Sequence, residues 1–124
     1  MFGKKKESGI PVQHYEGIEG FATDYPCRIE IKDTIFEIRR LKPETVVTLP
    51  MERIKSISAM EEKAFMLKYH SDYAKTSKFA SGKKYYLVVE YDKGRLAFWG
   101  TSFEYGKFVD LQYSFNTTPS HVSL

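Results

Sequence analysis

The sequence predicts a single mainly β domain of the α+β kind. Two observations carry that expectation. From Lys83 to Trp99 it reads KKYYLVVEYDKGRLAFW, two apolar and aromatic runs flanking Asp92-Lys93-Gly94, which is the composition and spacing of a β-hairpin. Upstream of it, short segments of alternating apolar and charged residues follow one another, separated by turn residues.

The elements follow in chain order. Residues 1–9 are polar and lysine-rich and read as a leader. Ile10 to Tyr25 contains Pro11, Gly17 and Gly20, and reads as a short extended piece around Val12 to Tyr15 followed by a loop. Cys27 to Ile31 alternates with the period of a half-buried strand. Lys32-Asp33 breaks it, and Phe36 to Arg40 resumes the pattern as a second strand. Lys42-Pro43-Glu44 is a turn, since proline lacks the donor a sheet ladder needs. Thr45 to Leu49 is β-branched and makes a third strand. Pro50 to Arg53 suits one helical turn, Ile54 to Met60 a fourth strand, and Phe65 to Tyr69 a fifth. His70 to Gly82 is small, polar and basic without a period, and reads as a long loop. The hairpin strands are Tyr85 to Tyr91 and Leu96 to Trp99. On the first, Leu87 and Val89 are the expected core face. Tyr86, Val88 and Glu90 form the other, a poorer core candidate because of the carboxylate.

Residues 103–115 fit two elements. The alternation of Phe103, Tyr105, Val109, Leu111, Tyr113 and Phe115 with more polar residues leans towards a strand. As a helix, Glu104, Phe108, Leu111 and Phe115 share a face, Thr101 or Ser102 can cap the start, and Glu104 complements the dipole.

With 124 residues, 42% of them hydrophobic and 15% aromatic, the chain suits one globular domain with a core of its own. The lone Cys27 forms no internal disulfide, so an oxidising compartment is not called for. No apolar run approaches the ~20 residues of a spanning helix. No apolar stretch follows the early lysines, as a signal peptide requires, and Gly3 is misplaced for myristoylation. A cytoplasmic location, with or without peripheral attachment to a membrane, is the expectation. The net charge of +3 hides a segregation. Lys4, Lys5 and Lys6 account for all of it, leaving 16 basic and 16 acidic residues. Within that balance, Lys68, Lys75, Lys78, Lys83 and Lys84 stand against Asp72 alone, a local +4.

Meandering strands, a long loop, a final aromatic hairpin and a C-terminal helix in this order resemble the pleckstrin-homology-like (PH/GRAM-like) fold. More narrowly, the chain resembles small bacterial proteins of that fold, of largely unknown function. The resemblance runs through MFGKKK at the start, EGI at Glu16 to Ile18, CRIEI at Cys27 to Ile31 and TLPMERIKSI at Thr48 to Ile57. It ends with KKYYLVVEY at Lys83 to Tyr91 and KFVDL at Lys107 to Leu111. It implies a bent antiparallel β-barrel of seven strands spanning residues 10–116. A C-terminal capping helix then packs Phe108, Leu111 and Phe115 over one end, and residues 117–124 form a tail. It tips residues 103–115 towards helix and implies no catalytic residues. Where such proteins often carry a glycine-rich apolar segment before the final hairpin, this chain has the lysine-rich stretch. Lipid-binding members of the wider fold use basic residues around the first hairpin, but here that turn offers only Lys32 beside Asp33, so no phosphoinositide site carries over.

Residue chemistry argues against an enzyme. His14, His70 and His121 are far apart and Cys27 stands alone, so no metal-ligand spacing exists, and the histidines read as surface or loop residues. No histidine is placed by sequence to activate Cys27, which reads as a small core residue. No glycine pattern cradles a phosphate, and Glu61-Glu62 reads as a solvated turn. No cofactor is implied. What remains is the lysine stretch, in which Tyr69, Tyr73 and Phe79 interleave with the basic residues. Lys68, Tyr73, Lys75, Lys78, Phe79, Lys83 and Lys84 form the candidate ligand-binding set, for an anionic surface. The bland alternative is a solvated loop that discourages edge pairing. Nucleic acid is disfavoured because no nucleic-acid motif accompanies the charge. The expected function is a non-enzymatic binding or adaptor module for anionic lipid. The rival is a protein or peptide interaction module that uses a sheet edge, homodimerises, or presents Tyr86, Phe98 and Trp99 as anchors.

Overall fold

The computed structural model describes residues 9–41, 43–71 and 83–117. Seven strands form one antiparallel sheet: β1 (Ile10–Glu16), β2 (Tyr25–Lys32), β3 (Ile35–Arg40), β4 (Thr45–Pro50), β5 (Ile54–Glu61), β6 (Tyr85–Tyr91) and β7 (Gly94–Gly100). Their spatial order is β4-β3-β2-β1-β7-β6-β5, so the sheet is two meanders joined where β1 pairs with β7. A short helix α1 (Glu62–Phe65) runs into a π-helical turn, Met66–His70, and a long helix α2 (Ser102–Thr117) follows β7.

The strands from Cys27 to Met60 and the final hairpin stand where the alternation places them, to within a residue or two. In the hairpin, Tyr91 faces Gly94 across Asp92-Lys93, and Gly94 adopts φ +145°, a region that favours glycine. The single turn at Met51–Arg53 is 3₁₀. The extended piece near Val12 is a full strand. Pro11 is tolerated because β7 pairs only from Gln13 onward, leaving β1 one neighbour there.

Phe65 to Tyr69 is not a strand. Glu62, Phe65, Met66 and Tyr69 fall at helical spacing, and Phe65 and Met66 are buried while Leu67 and Lys68 point outward. This correction changes how the seven strands are counted: the fifth expected strand is helical, and the piece near Val12 supplies the missing one. Glu61-Glu62 is not a solvated turn either, because Glu62 is buried and its N–H donates to the Lys84 carbonyl at 3.0 Å.

Residues 103–115 are helical, so the strand-like alternation is overruled. The start is closed by a reciprocal cap: the Thr101 N–H donates to Glu104 Oε1 (2.7 Å) and the Phe103 N–H to Thr101 Oγ1 (3.3 Å). Phe108 is fully buried, with Leu111 and Phe115 half-buried beside it. The helix ends at Thr117, one residue beyond the expected domain boundary.

The sheet buries both faces. The main core lies on one face, where Ile29, Phe36, Ile38, Leu87 and Phe98 are fully buried and α2 inserts Phe108. The other face of β6 was the poorer core candidate, yet Tyr86 and Val88 are equally inaccessible. Helix α1 and its π turn fold over them, stacking Phe65 on Tyr86 at 4.2 Å, and Glu90 is accommodated at the margin. His14, expected at the surface, is 2% exposed. It pins the loop between β1 and β2: Nε2 accepts from the Ile18 N–H (3.2 Å), which leaves Nδ1 to donate to the Ala22 carbonyl (3.0 Å).

Candidate binding surface on the outer sheet layer

The connection between β5 and β6 carries the predicted lysine set, and its two described ends are fixed on the outer face of the sheet. At one end, α1 widens into the π turn, whose last bond runs from the Ser71 N–H to the Met66 carbonyl, and Ser71 takes a left-handed conformation at φ +52°. At the other, the Lys84 carbonyl is held by the Glu62 N–H. Of the predicted residues, Lys68 lies on the π turn and Lys83 and Lys84 precede β6. Tyr73, Lys75, Lys78 and Phe79 lie outside the described residues, as do the leader lysines and His121.

Aromatic rings and paired charges build the layer beneath. The Tyr69 hydroxyl donates to Glu90 Oε2 at 2.8 Å, and burial together with that carboxylate pushes its pKa up to about 12. Arg95 approaches the Tyr69 ring at 4.7 Å and Lys68 at 5.4 Å. Glu16 accepts from Arg95 Nε (3.1 Å) and meets His70 Nε2 at 3.2 Å. Trp99 Nε1–H donates to Asp24 Oδ1 at 2.7 Å, while the Lys84 ammonium lies 4.3 Å from the centre of the indole. Glu16, Asp24 and Glu90 are thus each engaged by a donor. No carboxylate among the described residues lies within ion-pair distance of Lys68, Lys83 or Lys84. Leu67, next to Lys68, is 48% exposed.

Glu16, Asp24, His70, Arg95 and Trp99 were not singled out as parts of this surface. The alternation along β7 was the available signal: Arg95, Ala97 and Trp99 share the face opposite Leu96 and Phe98. The proposed anchors Tyr86 and Phe98 are both buried, so neither is part of an exposed patch; Trp99 is half-buried at the rim of the layer. Lys32 is occupied by Glu37 at 3.3 Å and Glu30 at 3.9 Å, and its turn joins β2 to β3 rather than forming the first hairpin.

Cys27 is buried on the inner face, and desolvation pushes its thiol up to about 12, so it is a poor nucleophile at neutral pH. Among the described residues no three His, Cys, Asp or Glu side chains are grouped to hold a metal ion, and no helix is long and apolar enough to cross a membrane. Comparison with protein families, with curated proteins and with solved structures gives no match.

Proposed function

We propose that the chain is a pleckstrin-homology-like, non-enzymatic binding module that recognises an anionic membrane surface through the β5–β6 connection. The strand order and the C-terminal helix over the main core are in keeping with that fold. One observation carries the binding reading. The described ends of the lysine-rich stretch present Leu67, Lys68, Lys83 and Lys84 on an aromatic layer, while Glu16, Asp24 and Glu90 are engaged elsewhere. Basic residues near an anionic bilayer contribute about 1 kcal/mol each, and an exposed apolar side chain beside them adds contact with the acyl boundary. Flotation with phosphatidylserine-containing vesicles tests this. Binding should fade as salt rises, since exposed charges are screened beyond ~8 Å at physiological ionic strength, and replacing Lys75, Lys78 and Lys83 by Glu should abolish it. Flotation unchanged by that triple replacement would refute the reading. Single-stranded oligonucleotides in the same buffer should bind less tightly than vesicles.

A second reading, a protein-interaction module working through a sheet edge, has an observation of its own. Among the described residues, strand β4 pairs with β3 alone.

A further inference from the structure

The two ends of the sheet are treated differently by the fold. At the β5 end, α2 lies along the strand, and Gln112 Oε1 accepts the Ala59 N–H at 2.7 Å, so a side chain stands where another strand would pair. At the β4 end no described residue does this.

Which groups β4 exposes follows from the register. Ile35 faces Pro50, so Thr34 faces Met51, and the Met51 N–H donates to the Thr34 carbonyl at 2.8 Å. Hydrogen-bonded and non-bonded pairs alternate along an antiparallel ladder. The bonded pairs are therefore Phe36–Leu49, Ile38–Val47 and Arg40–Thr45. Val46 and Thr48 direct their N–H and C=O groups away from β3, as does Pro50, which has no N–H to leave unpaired. The usual protections of an edge are a charge, a bulge or an internal proline. From Thr45 to Leu49 there is no charge and no proline, and the β3–β4 register runs without a shift. The side chains of Val46 and Thr48 are exposed.

We propose that β4 pairs antiparallel with β4 of a second copy about a two-fold axis at Val47, giving a symmetric dimer with one continuous sheet. In this register Val46 of each copy faces Thr48 of the other, and Val47 faces Val47. All four outward groups of Val46 and Thr48 are satisfied, and no like charges meet. A shift that centres the axis on Thr48 instead sets Val46 against Pro50, where a donor is missing. Self-pairing in this register therefore satisfies both copies alike, as an isologous contact requires. The inference rests on the edge reading above and is independent of the lysine surface.

The test is sedimentation equilibrium over a concentration series, with hydrogen exchange at the Val46 and Thr48 amides. Wild type should dimerise, and both amides should become protected as concentration rises. Val46→Lys and Thr48→Glu change exposed side chains whose N–H groups do not serve the β3 ladder, so each monomer keeps its melting temperature. Each alone should weaken the dimer by at least about tenfold, since like charges then face across the axis diagonally. An equimolar mixture of the two variants should recover association, because the lysine introduced in one then faces the glutamate introduced in the other. A monomer throughout, or a dimer indifferent to both substitutions, overturns the inference. Fast exchange at every concentration would do so while leaving the edge open for another partner. Protection independent of concentration would show the edge already covered and end the edge reading as well.

Discussion

Replacing Phe108 by Ala should show how much of the stability rests on the C-terminal helix. Phe108 is the one α2 side chain that is fully inaccessible, and it enters the main core over β5. Truncations of a buried phenylalanine cost about 3–5 kcal/mol, the transfer loss plus the cavity left behind. Leu111, one turn on, is only half-buried, so at about 0.8 kcal/mol per buried methylene its truncation should cost about 1–2 kcal/mol. Tyr113, 68% exposed on the outer side of the same helix, should change stability by less than about 0.5 kcal/mol when truncated. Urea unfolding followed by Trp99 fluorescence measures all three, with an unchanged slope confirming that the folded and unfolded states are comparable. A Phe108→Ala loss of around 1 kcal/mol, or a Leu111→Ala loss as large as that of Phe108→Ala, would refute the packing of α2 described above.

His14 should make stability depend on pH in one direction. Burial lowers its pKa below 6.5, so between its folded value and 6.5 the unfolded chain binds the extra proton. Stability is therefore full above pH 6.5 and falls as pH drops through that window, by at most ~1.4 kcal/mol per unit. His14→Gln should flatten this part of the curve in parallel urea titrations, and an unchanged slope would contradict the buried neutral imidazole. Cys27 should react with a thiol reagent at pH 8 far more slowly in the folded protein than in urea, and equal rates would contradict its burial.

The strands were legible wherever one face is wet. Cys27 to Ile31 and Phe36 to Arg40 put charges on one side and apolar residues on the other, and period two shows directly. Legibility failed where a second layer covers the sheet. Tyr86, Val88 and Ala97 carry no sign in sequence that α1 lies over them, and the nearby Glu90 argued the opposite way. The short Phe65-Met66-Leu67-Lys68-Tyr69 run supports either period, and only the burial of Phe65 and Met66 separates them. In α2 the alternation was accidental, and the cap at Thr101 and Glu104 was the better guide. Of the outer surface, the lysines were visible as composition. Glu16, Asp24 and Arg95 were not, because their partners are 75 to 79 residues away along the chain.

The pairing of β1 with β7 joins residues 13–16 to residues 97–99. Each of the two meanders can zip through neighbouring hairpins on its own, but the seam between them needs a loop of about eighty residues to close. Such distant pairings slow folding, because the entropy of closure is spent before the contacts form. On the ribosome, the flank of β1 that will meet β7 has no partner until Trp99 has been synthesised and has left the exit tunnel. For that interval Gln13 to Glu16 form a bare flank. The half-made chain is thus most open to chaperones, and to misassembly with its neighbours, just before its last strand arrives.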